Sequence, residues 1–169
     1  ICYHGTQVAV SGILSQIIWD WLIHEFDPST VDLDKCYPTL EEMEPKCKDA
    51  FRWLDSTGSA ADECWEDYQK KLKRWYECRL ELEMFLFHFD EFKTAVSPWL
   101  KDPGYVAQCM HEANAPTRYS QLNYPVDADT ARWALTNCHL MRNRFSVIDL
   151  LYFCGIWNDD FVQMIIDRA

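Results

Sequence analysis

The chain has 169 residues, 49% of them hydrophobic and 15% aromatic, which is enough apolar material for a sizeable core and predicts one domain spanning residues 1–169 rather than a disordered chain. Its 27 acidic residues outnumber its 16 lysines and arginines and give a formal net charge of −11. A charge of this sign and size repels a polyanion, so the composition disfavours nucleic acid as a partner.

The cysteines indicate a protein of an oxidising compartment. Their number, eight, is even and high for a chain of this length, which is typical of disulfide-bonded secreted proteins. Structural zinc sites usually carry cysteine pairs about two to four residues apart, and no C-x-x-C pair occurs here, although metal binding and free thiols remain alternatives. We therefore expect most or all cysteines to be paired, in a connectivity that the sequence does not choose. The candidates are Cys2, Cys36, Cys47, Cys64, Cys78, Cys109, Cys138 and Cys154.

The beginning of the chain predicts a processed, secreted protein. It opens at Ile1 rather than Met, and it lacks a basic segment followed by an apolar core and a small-residue cleavage site. We interpret this as the mature form left after signal removal, located outside the cell that makes it. The longest uncharged stretch, Gly5 to Trp19, is shorter than the roughly 20 residues that a bilayer span needs, so no transmembrane helix is predicted.

Two helices are predicted in the first third of the chain. From Thr6 to Phe26 the apolar residues recur at steps of three and four, which is the spacing of one helical face. Pro28 ends this helix because proline disfavours helical geometry in the residue before it. Thr39 and Glu42 then fit a capping box, so a second helix is expected to run from there to about Leu54.

The strongest periodic signal predicts one long third helix. It begins after a turn at Gly58 and runs from Ser59 to about Phe92, and at about 1.5 Å per residue it is on the order of 50 Å long. Lys71 alone interrupts its apolar stripe. Lys71 belongs to a basic run, residues 70–74, which we interpret as a solvated helix face with acidic neighbours. The stripe consists of Cys64, Tyr68, Trp75, Cys78, Leu82, Phe85, Phe89 and Phe92.

Three more helices are predicted in the second half. The fourth covers residues 97–113 and is interrupted at Pro103-Gly104, and residues 114–126 form a loop. A long fifth helix runs from Asp127 to Gly155, where glycine suits the left-handed position after a helix. The sixth covers residues 157–168. No stretch of strand length alternates with period two, so the predicted fold class is all-α, a disulfide-stabilised multi-helix bundle.

The two longest predicted helices share a motif. Each has a cysteine, a run of helix, and then a tyrosine two residues before a second cysteine, with the first cysteine and the tyrosine 12 and 14 residues apart. This pattern favours two pseudo-repeated helical halves, at about residues 36–95 and 98–169; chance is the competing explanation, because the chain holds eight tyrosines and eight cysteines. Residues two apart do not share a helical face, so we expect each motif tyrosine to pack against a neighbouring element, with a binding role as the alternative. The motif residues are Cys64, Tyr76 and Cys78 in the first copy and Cys138, Tyr152 and Cys154 in the second.

Paired Cys–Tyr–Cys units in a small cysteine-rich chain resemble the bicycle family, which is named for two cysteine-tyrosine-cysteine motifs. The resemblance covers Cys64–Cys78 and Cys138–Cys154. It implies an effector that is made in the salivary gland of a gall-forming aphid or a related insect and is delivered into plant tissue. It also implies that the protein acts there by binding a host component rather than by catalysis.

No catalytic or cofactor motif is recognised, so the chain is predicted not to be an enzyme and to need no cofactor or metal. It has no P-loop, Gly-x-Ser-x-Gly elbow or Gly-x-Gly-x-x-Gly turn. The acidic clusters at residues 41–44 and 159–160 are interpreted as charges that complement helix N-termini. The histidines form no HExxH or HxH pair and are interpreted as structural: they are His4, His24, His88, His111 and His139.

Two functional hypotheses follow. The leading one is a secreted, effector-type interaction protein that binds an unknown host protein. Its support includes the eight tryptophans, because pairs such as Trp19 and Trp21 point to different sides of one helix and leave some apolar surface outside. The alternative is a disulfide-linked helical carrier whose aromatic interior encloses a small apolar ligand. A hydrolase with an unrecognised site ranks third, and the sequence leaves the target and the oligomeric state open.

Overall fold

The computed structural model describes residues 3–169, and within that range it contains α-helices and 3₁₀ turns but no strand. The predicted all-α class is therefore confirmed. No helix in this part of the chain is both long enough and apolar enough to cross a bilayer. The α-helices over residues 3–169 are α1 (His4–His24), α2 (Leu33–Cys36), α3 (Leu40–Phe51), α4 (Ser59–Glu77), α5 (Arg79–Phe87), α6 (Phe89–Val96), α7 (Pro103–Glu112), α8 (Ala128–Asn137), α9 (Val147–Phe153) and α10 (Asp159–Arg168).

Local sequence signals set several helix ends as predicted. The Thr39 hydroxyl accepts a hydrogen bond from the Glu42 amide at 3.2 Å, and the Glu42 carboxylate accepts one from the Thr39 amide at 2.9 Å. This capping box satisfies two amides that the first turn of α3 leaves without helical partners. Gly58 and Gly155 have φ values of +75° and +74°, a region that glycine enters without steric cost.

The chain forms two compact units, each assembled from separate segments. Unit 1 comprises Ile1–Asp27, Phe89–Leu135 and Asp159–Ala169, and unit 2 comprises Pro28–His88 and Thr136–Asn158. The units do not coincide with the predicted repeat halves, because each unit takes segments from both halves. All six residues of the two Cys–Tyr–Cys motifs lie in unit 2.

Unit 1 is organised around the apolar face of α1. Ile13, Ile17 and Leu22 are at most 4% exposed. The ring of Trp21 meets that of Phe161 edge-on, with centroids 4.6 Å apart, an arrangement that aromatic pairs prefer. These contacts join the first and last helices of the chain within one core.

The core of unit 2 lies between α3 and α4. Met43, Cys47 and Phe51 from α3 and Tyr68 and Leu72 from α4 are each at most 1% exposed. Because these residues recur at steps of four on their helices, each set lies on one face and the two apolar faces bury each other. The later segment of unit 2 adds the fully buried residues Leu140, Leu151 and Phe153.

The predicted continuous helix from Ser59 to Phe92 is wrong, since the segment forms α4, α5 and α6. The helix is interrupted at Cys78 (φ −99°, ψ 20°) and at His88 (φ −100°, ψ 21°). Leu82 belongs to unit 2, whereas Phe89 belongs to unit 1, where its ring lies 5.1 Å from that of Phe26. The break at His88 is therefore the point at which the chain leaves one core and enters another.

The predicted long helix from Asp127 to Gly155 is also wrong. Helix α8 ends at Asn137, a 3₁₀ turn covers Cys138–Met141, and α9 begins only at Val147. The reason is that side chains of α4 bind the backbone carbonyls that a continuous helix would use. The Lys71 ammonium donates to the carbonyl of His139, and the Arg74 guanidinium donates to that of Asn143.

The fourth predicted helix begins later than expected. Residues Ser97–Trp99 form only a 3₁₀ turn, and α7 begins at Pro103. The Ser97 hydroxyl donates backwards to the carbonyl of Lys93 at 2.6 Å, so it does not cap a new helix. Asp102 takes that role, because its carboxylate accepts a hydrogen bond from the Tyr105 amide at 2.8 Å and the following proline suits the first helical position.

Candidate functional site

The tyrosine of the first motif ties the end of α4 to the segment before α3. The Tyr76 hydroxyl donates to the carbonyl of Pro38, and the Tyr37 hydroxyl donates in return to the carbonyl of Trp75. The two tyrosine rings are 5.7 Å apart. Burial raises the pKa of both phenols, so both hydroxyls stay protonated and act as donors. Tyr76 is thus occupied by a structural contact.

The tyrosine of the second motif ties α9 to α3. The Tyr152 hydroxyl accepts a hydrogen bond from the Lys46 ammonium at 2.9 Å and lies 3.1 Å from the sulfur of Met43. The Lys46 ammonium is also 4.8 Å from the centre of the Tyr152 ring, within the range of a cation–π contact. The centre of the Tyr152 ring also lies 4.5 Å from that of the His139 imidazole. Tyr152, like Tyr76, is bound within unit 2.

The cysteines of the described residues are all free thiols in this structure. Cys2 lies outside the described residues. Cys78 and Cys109 are exposed, whereas Cys47 and Cys154 are buried. The predicted disulfides are therefore not seen here.

Cys36 lies against the backbone that carries Cys154. The Cys36 sulfur is 3.2 Å from the carbonyl oxygen of Phe153, and a Cβ placed on Gly155 would be 2.8 Å from the Cys36 Cβ. Burial raises the pKa of the Cys154 thiol to about 12, with a further contribution from Cys36. Cys36 thus approaches the residues on both sides of Cys154.

Two further thiols of unit 2 are Cys47 on α3 and Cys64 on α4. Burial raises the pKa of the Cys47 thiol to about 12, and the nearby Cys64 thiol adds to that shift. Cys64 is half-buried, and burial raises its pKa as well. Both thiols are therefore uncharged near neutral pH and poor nucleophiles in the absence of an activating group.

The least expected feature of unit 2 is a buried ion pair between Lys71 and Asp149. The ammonium and carboxylate are 2.6 Å apart, and Lys71 and Asp149 are 2% and 0% exposed. The ammonium also lies 3.4 Å from the carbonyl oxygen of Arg144. The other carboxylate oxygen of Asp149 accepts hydrogen bonds of 2.8 Å from the amide and hydroxyl of Ser146, which begins α9.

Burial and charge pairing act in opposite directions on this cluster. Burial lowers the pKa of Lys71, and Asp149 only partly offsets this. Burial alone would raise the pKa of Asp149, but the neighbouring His139 imidazole and the charge of Lys71 lower it overall. Burial also lowers the pKa of His139, whose imidazole lies 3.7 Å from the Asp149 carboxylate. Near neutral pH the His139 imidazole beside the Lys71–Asp149 pair is therefore neutral.

A pocket of about 400 Å³ opens beside this ion pair, lined only by residues of unit 2. Among its lining residues Leu82 and Leu150 are buried, whereas Phe145 is 62% exposed. Trp75 also lines the pocket, and its ring is stacked on that of Phe153 with centroids 4.3 Å apart. A pocket of this size and apolar character is typical of small-molecule sites. The remaining lining residues are Lys71, Arg74, Cys78, Glu81 and Phe85.

Helix α5 exposes an apolar stripe. Leu80, Met84 and Phe87 are 72%, 57% and 81% exposed, and their spacing of four and three residues places them on one helical face. Only Leu82 of this helix is buried. Side chains of this size are usually covered by other parts of the protein or by a partner.

The histidines and acidic clusters give no sign of a metal centre. Across residues 3–169, no three His, Cys, Asp or Glu side chains are grouped so that they could hold a metal ion. His139, which the sequence offered only as one of several structural histidines, is the one that lies beside the buried ion pair. Glu42 serves the capping box of α3 rather than a ligand.

Sequence reasoning did not predict that Lys71 and Arg74 bind backbone carbonyls of unit 2. The interpretation of residues 70–74 as a solvated face is wrong for Lys71, which is buried. The signal was present, because Lys71 is the one polar residue on the apolar stripe of its helix. Nothing in the sequence pattern indicated that Phe145 and Trp75 would line one pocket.

Comparison with protein-family models, curated proteins and solved structures gives no match.

Proposed function

We propose that this chain is a secreted, effector-type interaction protein that binds a host protein without catalysis, and that α5 carries the contact. The single observation behind this proposal is the exposed stripe of Leu80, Met84 and Phe87. Covering one such side chain contributes about 1.5–3 kcal/mol when burial is complete. An amphipathic helix that inserts its apolar face into a groove is a recurring mode of protein recognition.

The charges around the stripe define the partner's surface. Glu77, Glu81 and Glu83 are exposed on or beside α5, while Arg79 is engaged with Asp34 and with Glu83. The rim of the stripe is therefore acidic, in line with the net charge of −11. A complementary surface is an apolar groove flanked by lysine or arginine side chains, because matched potentials favour association.

The paired motifs support the same proposal through their resemblance to the bicycle family. The resemblance points to an insect salivary protein that is delivered into plant tissue, where the partner would be a plant protein. The structural use of Tyr76 and Tyr152 is compatible with it, because the motif then builds unit 2 and leaves α5 to make the external contact.

We further propose that the secreted protein carries disulfides and that one of them joins Cys36 and Cys154 in unit 2. The support is the position of Cys36 against the backbone on both sides of Cys154. Forming each bond removes two protons and two electrons, which a disulfide-exchange oxidant of the secretory pathway accepts. Such bonds would constrain the unfolded chain and stabilise unit 2.

The test of the proposed contact is capture of a partner from plant extract by wild-type and variant proteins. A variant with Leu80→Ser and Phe87→Ser should bind the captured protein at least about tenfold more weakly, because such side chains dominate interface energies. The control is Trp99→Ser, which removes a side chain that is 82% exposed but lies in unit 1. Binding should also weaken as salt concentration rises, since the rims are oppositely charged.

Two results would contradict the proposal. One is a partner that binds the α5 variant and the wild type equally well. The other is a concentration-dependent dimer of the wild type that the α5 substitutions abolish, since the stripe would then serve self-association instead. Circular dichroism of each variant confirms that the helices are retained.

A second candidate function is transport of a small ligand. The observation that favours it is the pocket of about 400 Å³ beside Trp75 and Phe145, which the exposed stripe of α5 does not explain. Displacement of a fluorescent apolar probe from the pocket tests it, and a protein that binds no probe would exclude this function.

A further inference from the structure

The charged residues that line the pocket are not equally available to a ligand. Lys71, Arg74 and Glu81 all line it. The Lys71 ammonium has three N–H donors, and its contacts with Asp149 and with the carbonyls of His139 and Arg144 account for all three. Lys71 therefore contributes its aliphatic stem, and Arg74 is the cation that a ligand can reach.

Arg74 is held in a position suited to an anion. Its side chain is exposed, and one N–H group donates to the carbonyl of Asn143. A guanidinium has five donors in a planar fork that matches a carboxylate. The contact with Asn143 fixes the fork beside the segment that carries Phe145, so less side-chain freedom is lost when a ligand binds.

One aromatic residue of the pocket, Trp75, is also held in place before a ligand arrives. Trp75 is stacked on the buried ring of Phe153 with an interplanar angle of 19°, and the ring of Phe145 is 5.4 Å from that of Trp75. Phe85 lines the same pocket. A ligand with an aromatic body can therefore pack against the Trp75 ring, whose position is already set, and contact the exposed ring of Phe145.

We propose that this pocket binds an aromatic carboxylate, with the ring system against Trp75 and Phe145 and the carboxylate on Arg74. The proposal rests on the second candidate function, transport of a small ligand, and names the class of that ligand. It is independent of the α5 contact. Glu81 at the same pocket disfavours a second negative charge, so a monocarboxylate fits better than a dicarboxylate.

The test is a calorimetric titration of the full chain with naphthoate and with naphthalenemethanol, a neutral alcohol with the same ring system. We expect naphthoate to bind at least about tenfold more tightly than the alcohol, because hydrogen bonds to a charged group are stronger than those to a neutral one. Arg74→Gln should remove this preference, and any weakening caused by loss of the Asn143 contact should affect both compounds alike. Phe145→Ala should weaken the binding of both compounds.

The matched control is Lys73→Gln, which removes a positive charge from the same exposed turn of α4 at a residue outside the pocket lining. It should leave the binding of both compounds unchanged. Equal binding of acid and alcohol, or an Arg74→Gln variant that binds naphthoate like the wild type, would overturn the assignment to carboxylates and leave ligand transport standing. If neither naphthalene compound binds, the aromatic ligand class is overturned. If a long-chain alcohol then still displaces an apolar probe, the proposal of ligand transport survives.

Discussion

Lys71 binds both a buried carboxylate and backbone carbonyl groups of unit 2. It pairs with Asp149 at 2.6 Å and donates to backbone carbonyls of the segment before α9. A charge that is buried without such partners costs several kcal/mol. Its position on an otherwise apolar stripe is tolerated because all of its donors are used.

We predict that Lys71→Met lowers the free energy of unfolding by about 3 kcal/mol or more, because removing one partner of a buried ion pair leaves the other charge uncompensated. Urea denaturation measures the effect. The control is Lys70→Met, whose ammonium is exposed and pairs with Asp67 at 3.4 Å; a surface pair of this kind contributes about 0–1 kcal/mol. Equal destabilisation by the two substitutions would show that the buried pair contributes no more to stability than the surface pair.

A pH dependence of stability is predicted for His139. Burial lowers its pKa from 6.5 in the folded protein, so below about pH 6.5 the unfolded chain binds a proton that the folded chain does not. The free energy of unfolding should therefore fall between pH 7 and pH 5, by up to about 1.4 kcal/mol per pH unit. The charged groups near His139 are Asp149, Lys71 and Lys46, and the phenol rings of Tyr68 and Tyr152 contact its imidazole. The pKa of Asp149 is lowered from 3.8, so its own contribution is lost only at more acidic pH.

Urea denaturation across this pH range measures the effect. His139→Gln should flatten the slope between pH 7 and pH 5, because no group at that position then titrates. His111→Gln changes an exposed histidine and should leave the slope as in the wild type. A slope that persists in the His139 variant would assign the pH dependence to another group.

At the scale of elements, distant side chains decide where the long helices break. The segment between α8 and α9 gives up helical hydrogen bonds because Lys71 and Arg74 bind its carbonyls. Ser146 and Asp149 then form a capping box that begins α9. Helix propensity contributes little in comparison, since single hydrogen bonds to charged groups are worth about 1.5–3 kcal/mol.

We predict that Gly155→Ala destabilises the protein by about 1–3 kcal/mol more than Gly58→Ala, which is the usual cost of overpacking. Both glycines have positive φ, so alanine at either position pays the same conformational penalty of roughly 1–2 kcal/mol. At Gly155 the added Cβ would also lie 2.8 Å from the Cys36 Cβ, whereas nothing lies within 4 Å at Gly58. Thermal unfolding of the two variants compares the costs, and equal costs would contradict the close approach of Cys36.

For the molecule as a whole, the proposal of a secreted, oxidised protein predicts its thiol content. Protein isolated from an oxidising source and denatured without reductant should show few or no titratable thiols. Peptide mapping without reduction should recover Cys36 linked to Cys154. Eight free thiols would contradict secretion into an oxidising compartment, whereas a different partner for Cys36 would overturn only the assigned pair. The reduced and alkylated protein is the control for complete thiol detection.

The sequence by itself determined the all-helical class, the capping box of α3 and the turns at Gly58 and Gly155, where the backbone adopts positive φ. These features depend on interactions between residues a few positions apart, so periodicity and local residue types are enough to predict them. The candidate site was only partly predictable from the sequence, because Lys71 stood out as a polar residue on an apolar stripe but nothing identified Asp149 as its partner. Only the tertiary structure decided the breaks in the long helices, the pocket beside Trp75 and the exposure of α5. The physical reason is that each of these depends on which distant group satisfies a carbonyl, neutralises a charge or covers an apolar face.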